Sequence, residues 1–389
     1  MNEWIDAAEA AARLGVKPAT LYAYVSRGVL KRRHAEDGRR SLFDAGEIEQ
    51  LARRGRPRSQ PPELVIESEI TYLGLDRPYF RGRDALTLAA SSTFEEVAEW
   101  LWSSDAAVWR ADPAAVKAAV TAQRGLPDDL LLIDRLHVIT TVLGATDPLR
   151  HQLDQASVAA TARRLIAGLV DAMPSLQASR GESIADRLWA KLTDEPATEP
   201  LLEALRAALV LLSDHELAAS TLAARVAASA RADPYAVVLT GLGVLSGPLH
   251  GGASFGAERL LQEVVHPEDA SRVVGERIRR GERIPGFGHS VYKNGDARGT
   301  ALLDLVTRAV PDQSRVLAVL AEIRRRRLPE QNVDFALAAL TTSAGMRPGS
   351  GEAVFAVART AGWLAHAMEE YRKGTLLRLR ASYTGTPIT

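Results

Sequence analysis

Helical periodicity along most of the chain is the feature that most restricts its fold. ASVAATARRLIAGLVDAM and EPLLEALRAALVLLSDHELAASTLAARVAASARA carry apolar residues at positions i, i+3, i+4 and i+7, which places these residues on one face of a helix. Strand-like alternation is confined to short pieces such as LVIESEITYLG. We therefore predict a mainly α-helical body.

An arginine- and proline-rich segment divides the 389-residue chain. RRGRPRSQPPE, residues 53–63, has no apolar face, and its prolines forbid a continuous helix. Residues 1–60 carry 12 basic and 8 acidic side chains, a net charge of +4, whereas the whole chain balances 48 against 48. This asymmetry predicts two units with different tasks, joined by a linker at residues 54–62.

The pattern before the linker, residues 1–53, is typical of a helix-turn-helix. DAAEAAARLGV ends a helical pattern at Gly15, and KPATLYAYVSRG offers Pro18 for a first helical turn. VLKRRHAEDGRRSLF predicts two short strands with a turn at EDG, and DAGEIEQLARRG predicts a closing helix. The segment resembles the winged helix-turn-helix of the mercury-resistance-regulator and excisionase type.

In that family the second helix enters the major groove of DNA and the wing touches the backbone. The resemblance implies DNA contacts within residues 1–58, through Thr20, Tyr22, Arg27, Arg32, Arg33, Arg39 and Arg40. Wing arginines would neutralise phosphates and make binding depend on salt. The alternative is a helical interaction module whose basic residues are solvated, because the second helix lacks the Asn and Gln side chains that read bases.

Composition limits which classes of protein and of binding site are possible. The chain has no cysteine, which excludes disulfides and Cys-ligated zinc. No run of about 18 apolar residues is free of charges, and the first residues include acids, so we predict neither a membrane span nor a signal peptide. We expect a cytoplasmic protein with no membrane partner, no metal and no other cofactor.

Three polar clusters interrupt the helical patterns of the second half. SGPLHGGAS places His250 before a Gly-Gly pair, and IPGFGHSVYKNGDARG places His289 after a Pro-Gly-x-Gly turn. NVDFALAAL sets Asp334 among apolar neighbours, a setting that raises a carboxyl pKa and suits a general base. A single histidine is more often structural than functional, so it is the joint pattern that indicates a site.

These three clusters, in this order, resemble the catalytic blocks of citrate synthases. SEITYLGLDRPYFRGRDALTLAASSTFEEVAEWLW, SDHELAASTLAARVAAS, VFAVARTAGWLAHAMEE and RLRASYTG resemble further blocks, so the resemblance covers residues 62–389. It implies a large helical domain, residues 63–254 and 350–389, and a small helical domain, residues 255–349. It also implies a homodimer and a site in the cleft between the two domains.

The family is an acyltransferase of the tricarboxylic acid cycle that condenses acetyl-CoA with oxaloacetate and water, releasing citrate and coenzyme A. The resemblance implies that Asp334 removes a proton from the thioester methyl group and that His250 donates to the thioester carbonyl. His289 would polarise the ketone of oxaloacetate. A base and a donor acting together suit so weak a carbon acid.

The resemblance also implies binding residues for each substrate. Oxaloacetate would be held by His215, Arg298, Arg359 and Arg378, the last reaching the site of the partner subunit. Coenzyme A would be held by Pro285, Gly286, Gly288 and Lys293. Guanidinium–carboxylate pairing suits a dicarboxylate. The alternatives are surface or ion-paired arginines and a solvated lysine.

Four positions depart from the family's usual pattern: Ser254, Ser290, Ala297 and Leu379. None of them removes a group that does chemistry, but they leave the preferred acyl-CoA open. The leading prediction is a citrate synthase. The alternatives are a 2-methylcitrate synthase that uses propionyl-CoA, or a DNA-binding, metabolite-sensing regulator built on the same scaffold.

Overall fold

The computed structural model describes residues 4–14, 16–26, 30–35, 41–48, 66–292, 295–379, 381 and 384–385. Met1–Glu67 and Ser68–Thr389 form two compact units. The predicted linker at residues 54–62 lies outside the described residues. Arg27, Arg39, Arg40 and Lys293 lie outside them as well.

The first unit combines two helices with a three-stranded sheet. Its elements are β1 (Trp4–Asp6), α1 (Ala7–Leu14), α2 (Pro18–Ser26), β2 (Arg32–His34) and β3 (Ser41–Asp44). The strands are antiparallel in the order β1-β3-β2, and Arg32 lies opposite Phe43. Leu21 of α2 and Phe43 are fully buried in its core. The two predicted helices and the antiparallel pairing of the two predicted strands are confirmed, and the predicted closing helix is seen at residues 45–48. The predicted turns at Gly15 and at residues 36–38 lie outside the described residues.

The second unit, where the structure describes it, is helical apart from one small antiparallel sheet near its start. That sheet consists of β4 (Thr71–Leu73), β5 (Pro78–Phe80) and β6 (Arg83–Asp84). The helices of its described part are α3 (Ala85–Ser91), α4 (Phe94–Trp102), α5 (Pro113–Ala122), α6 (Leu132–Thr146), α7 (Gln155–Asp171), α8 (Ile184–Leu192), α9 (Glu199–Leu212), α10 (Ala219–Ser229), α11 (Pro234–Leu245), α12 (Gly252–Glu263), α13 (Asp269–Arg279), α14 (Ala297–Ala309), α15 (Ser314–Arg325), α16 (Val333–Ser343) and α17 (Ser350–Lys373). This architecture confirms the mainly α prediction.

Helix α17 is the centre of the second unit. Every residue from Ser350 to Tyr371 is buried, and α4, α7, α9, α10, α11 and α12 all pack against it. Trp102 of α4 donates its indole N–H to the carbonyl of Ala361 at 2.9 Å. A helix buried on all sides has no solvent-facing stripe, so its charged side chains must find partners inside the unit.

The second long periodic segment is broken in the structure. Its helices are α9 and α10, and residues 213–218 form a turn between them. Gly362 of α17 donates its amide to the carbonyl of Ser213 at 3.0 Å, and Glu216 has a φ of 51°. Tertiary contact with α17 therefore accompanies a break that the apolar periodicity does not show.

No helix among the described residues is long and apolar enough to cross a membrane. The predicted division of the second unit into large and small domains stays a prediction.

We expect Gly241→Ala to destabilise the fold by about 1–3 kcal/mol, because it overpacks a closed contact. A Cβ on Gly241 would lie 2.6 Å from the indole of Trp363, which is fully buried. Gly243→Ala on the same helix is the matched control, since its Cβ would meet nothing within 4 Å. Thermal unfolding followed by circular dichroism checks this, and equal stability of the two variants would contradict it.

Candidate active site

The glycine-rich turn before His289 is paired with the segment that leads into α16. The amide of Gly288 donates to the carbonyl of Glu330 at 2.8 Å, and the amide of Asn332 donates to the carbonyl of Gly286 at 2.9 Å. The Asn332 side chain also donates to the carbonyl of Gly288 at 2.8 Å. This pairing brings together two segments that lie more than 40 residues apart in the sequence.

Both glycines of the turn are required by its path. Gly286 has a φ of 83° and Gly288 a φ of 80°, values that side chains with a Cβ disfavour. A Cβ on Gly286 would also lie 2.7 Å from the Cβ of Phe335. Several backbone groups of residues 286–288 are thus engaged with the chain itself, and the coenzyme A contacts expected of Pro285, Gly286 and Gly288 stay a prediction.

Asp296 joins the starts of α14 and α16. It caps α14 by accepting the amide of Arg298 at 3.1 Å, and it accepts the amide of Val333 at the start of α16, also at 3.1 Å. Its carboxylate also pairs with the Arg298 guanidinium through contacts of 3.0 and 2.9 Å. Burial raises the pKa of Asp296, but the charge and hydrogen bonds of Arg298 outweigh burial and hold that pKa below its usual value.

His289 is held by the backbone that follows it. The amides of Val291 and Tyr292 both donate to Nδ1 at 3.0 Å. A ring nitrogen that accepts amide N–H groups carries no proton, so the proton of the neutral ring lies on Nε2. Nη2 of Arg298 lies 3.4 Å from that nitrogen. The site therefore presents two neighbouring donors to which one ligand oxygen can bind.

His250 is held through Nε2, whereas His289 is held through Nδ1. The hydroxyl of Ser220 lies 2.6 Å from Nε2 and itself accepts the indole N–H of Trp363 at 3.2 Å. The hydroxyl proton is then available to Nε2, which leaves the ring proton on Nδ1. Burial, reinforced by the charge of Arg359, lowers the pKa of His250 to about 4. The ring is therefore a neutral donor at neutral pH.

Tyr292 connects two of the predicted histidines. Its ring stacks on His289 with the centroids 4.6 Å apart, and its hydroxyl lies 3.0 Å from Nε2 of His215. Burial first, then the charge of Arg298, holds the pKa of His215 well below its usual value. Sequence reasoning missed Tyr292 as a contact residue, although it lies inside the stretch that was singled out.

Asp334 lies in the first turn of α16, and its backbone amide donates to the side chain of the N-cap residue Asn332. The buried Ser254 donates its hydroxyl to Oδ1 of Asp334 at 2.7 Å. Burial raises the pKa of Asp334 to about 6, although the bond from Ser254 and the charge of Arg298 lower it. A carboxyl group that ionises this close to neutrality suits a general base.

Arg359 reaches the cluster from α17 and is only 1% exposed. Its Nε donates to the carbonyl of Leu212 at 2.8 Å, and its guanidinium lies 4.7 Å from the ring of Phe355, one helical turn earlier. Burial lowers its pKa to about 10, so it remains cationic at neutral pH. The carboxylates of Asp214 and Asp334 act on it by charge without forming a salt bridge to it among the described residues. Burial therefore leaves a desolvated cation suited to an anionic ligand.

A buried polar network fastens the turn that carries His215 to α17. His366 accepts a hydrogen bond from Arg225 at Nδ1, at 2.6 Å, and its Nε2 donates to Asp214 at 3.3 Å. Arg225 in turn pairs with Glu369 at 2.7 Å. Asp214 precedes His215 directly, so the network fixes the backbone position from which the His215 side chain extends.

The structure brings most of the predicted site residues into one cluster whose charges act on one another. The members of that cluster are His215, His250, His289, Arg298, Asp334 and Arg359. Arg378 is exposed on the segment after α17 and forms no hydrogen bond or ion pair with the cluster in the described part of the chain.

A cavity of about 390 Å³ adjoins this cluster. His289, Tyr292 and Asp296 line one part of it, and residues 328–331 line another. Among the described residues, no group of three or more His, Asp or Glu side chains is arranged to hold a metal ion.

The first unit places several of its predicted nucleic-acid residues at the surface. Thr20 and Tyr22 are exposed on α2, and Arg32 and Arg33 are exposed on β2. The guanidinium of Arg33 lies 5.0 Å from the ring of Trp4. Each of these four side chains is therefore accessible to solvent.

Comparison with known proteins agrees with both parts of this description. Residues 63–380 match the family "Citrate synthase, C-terminal domain", and residues 4–56 match "Helix-turn-helix domain". Citrate synthase 2 of Bacillus subtilis is 30% identical over 350 residues, which cover 82% of this chain and 91% of that protein. The 2-methylcitrate synthase of Mycobacterium tuberculosis is 29% identical over 332 residues, which cover 79% and 84%.

Solved structures share the fold. Citrate synthase from Thermotoga maritima aligns with a TM-score of 0.70 at 26% identity, covering 85% of this chain and 96% of that one. Since the family match spans most of the second unit and the curated relatives align over most of their length, the chain belongs to the citrate synthase family and carries a helix-turn-helix domain in its first unit.

Proposed function

We propose that this protein condenses an acyl-CoA, acetyl-CoA in the first instance, with oxaloacetate and then hydrolyses the thioester to release citrate and coenzyme A. One observation carries the proposal. A carboxyl group with a pKa of about 6, Asp334, shares a cluster with the neutral imidazole donor His250 and the buried guanidinium of Arg359.

The first step is removal of a proton from the thioester methyl group. Ionised Asp334 accepts the proton, while His250 donates from Nδ1 to the carbonyl oxygen that becomes the enol oxygen. Because its pKa is about 4, His250 is a neutral donor in this step. Stabilising that oxygen as the proton leaves is what lowers the barrier for so weak a carbon acid.

The second step joins two carbon atoms. The nucleophilic carbon of the enol attacks the ketone carbon of oxaloacetate, the enol proton returns to Nδ1 of His250 as the thioester carbonyl re-forms, and the ketone oxygen becomes an alkoxide. Nε2–H of His289 and the adjacent Arg298 are the donors for this oxygen. His289 supplies the proton that the alkoxide takes up and regains one from solvent, to which Asp334 releases the methyl proton. Water then hydrolyses the thioester, which releases coenzyme A.

The two carboxylates of oxaloacetate provide the counter-charge for the site. Arg359 forms no salt bridge in the described part of the chain, where Asp214 is the carboxylate whose charge acts on it most. Arg298 is shared with Asp296. In this proposal Arg378 comes from the partner subunit of a homodimer. Coenzyme A would extend along residues 285–288 into the adjoining cavity of about 390 Å³, with Lys293 as a further contact.

Asp334→Asn should reduce oxaloacetate-dependent coenzyme A release by at least about 100-fold, because the amide cannot accept the methyl proton. Release is measured with a thiol reagent, with acetyl-CoA and oxaloacetate present. Asp304→Asn, which changes an exposed carboxylate on α14, is the control and should keep wild-type activity. Wild-type protein that releases no coenzyme A when oxaloacetate is added, with either acyl-CoA, would refute the proposal.

A relative that is a 2-methylcitrate synthase keeps propionyl-CoA as the second candidate substrate. The same assay with propionyl-CoA in place of acetyl-CoA distinguishes the two, through the ratio of the two kcat/KM values.

We also propose that the first unit binds DNA, supported by its match to the helix-turn-helix family and by the exposed basic residues of β2. A regulator without catalysis would need no general base, and the presence of Asp334 favours an enzyme that also binds DNA. Phosphate contacts would carry most of the affinity and would make it fall steeply with salt.

Arg32→Ala combined with Arg33→Ala should weaken binding to the upstream DNA of the gene and flatten its salt dependence by about two counterions. Gel shifts across a salt series measure both quantities. Arg13→Ala is the control, because Arg13 is paired with Glu9 on α1 at 2.6 Å. Affinity that is unchanged in the double variant, or wild-type protein without salt-sensitive binding, would count against DNA binding.

A further inference from the structure

Ser254 has a position that the proposed steps do not use. It lies in the first turn of α12 and is fully buried. Its hydroxyl donates to Oδ1 of Asp334 at 2.7 Å. A serine hydroxyl has one proton to donate, so in this arrangement that proton is committed to the carboxylate of the base.

The carboxylate is otherwise surrounded by charges of both signs. Arg298 and Asp296 act on it from the start of α14, and Arg359 acts on it from α17. Glu258 of α12, the helix that carries Ser254, bonds instead to the amides at the start of α17. Of these neighbours, Ser254 is the one whose side chain hydrogen-bonds to a carboxylate oxygen of Asp334, namely Oδ1.

Packing limits where the hydroxyl can go. Ser254 lies against the first turn of α17, where a Cβ on Gly351 would come within 3.3 Å of the Cβ of Ser254. The serine is therefore confined between α16 and α17. Because the backbone position of Ser254 is fixed by this packing, its hydroxyl donates from a fixed position and orients the carboxylate of Asp334.

We propose that Ser254 is the positioning residue of the base: its hydroxyl binds Oδ1 of Asp334, leaves Oδ2 for the substrate methyl group, and favours the ionised carboxylate. This inference rests on the proposed function for the identity of the substrate. The hydrogen bond itself does not depend on it.

The direction of the effect follows from which form the hydroxyl stabilises. A donor to a carboxylate favours the charged form and lowers its pKa. Without that donor the pKa of Asp334 rises above about 6. Only the ionised form accepts the methyl proton. The acid limb of the pH profile, where kcat/KM falls because Asp334 becomes protonated, therefore moves to higher pH.

Ser254→Ala should move the midpoint of the acid limb to a pH about one unit higher. At pH values below the midpoints of both the wild type and the variant, this shift is a tenfold loss of kcat/KM. Well above both limbs the loss should be smaller. A merely structural role would instead lower the rate by one factor at every pH. Ser254→Thr keeps the hydroxyl and should return the limb towards the wild-type position.

Ser343→Ala is the matched control, since Ser343 lies on the same helix as Asp334 but accepts its hydrogen bond from Gln313. Its acid limb should coincide with that of the wild type. Circular dichroism of each variant establishes that it is folded.

A second measurement does not depend on activity. The carboxyl band of Asp334 is titrated by difference infrared spectroscopy on protein with ¹³C-labelled aspartate, and Asp334→Asn identifies the band. We expect a higher midpoint in folded Ser254→Ala than in the wild type, and an equal midpoint would overturn the role of Ser254. Absence of coenzyme A release from the wild type would instead refute the proposed function, whatever the titration shows.

Discussion

One buried carboxylate, that of Asp296, sets the relative position of the two halves of the proposed site. It accepts the amide that begins α16 and the amide and guanidinium of Arg298 on α14. The same two carboxylate oxygens thus position the start of α16, which carries the proposed base Asp334, and the proposed oxaloacetate-binding residue Arg298. Removing one partner of such a pair leaves an uncompensated charge inside the protein, which is strongly unfavourable.

Different neighbours fix the protonated nitrogen of His289 and of His250. Backbone amides hold Nδ1 of His289, whereas a serine hydroxyl lies against Nε2 of His250. The two rings therefore carry their protons on opposite nitrogens. Burial lowers the pKa of His250 and of His215, so at neutral pH both rings are neutral hydrogen-bonding groups and not cations.

Local patterns predicted the helices and the three polar clusters, because periodicity and glycine-rich turns are properties of neighbouring residues. They could not predict the bond from Ser254 to Asp334, the contact of Tyr292 with His215, or the tie from Asp296 to Val333, which join residues 37 to 80 positions apart. The break between α9 and α10 was also hidden, since the apolar spacing continues through it. Arg359 was identified by resemblance alone, because a helix buried on every side has no amphipathic pattern.

The buried guanidinium of Arg359 has a consequence for how ligand and fold depend on each other. Its pKa is lowered to about 10 because the protein solvates the cation less well than water does. This unit therefore holds, at the middle of its central helix α17, a buried positive charge that the dianion of the proposed function would neutralise. A ligand that binds only the native state stabilises it. Under the proposed function, the site and the core of this unit would therefore be thermodynamically linked, because part of the free energy of binding would be relief of an electrostatic cost that folding imposes.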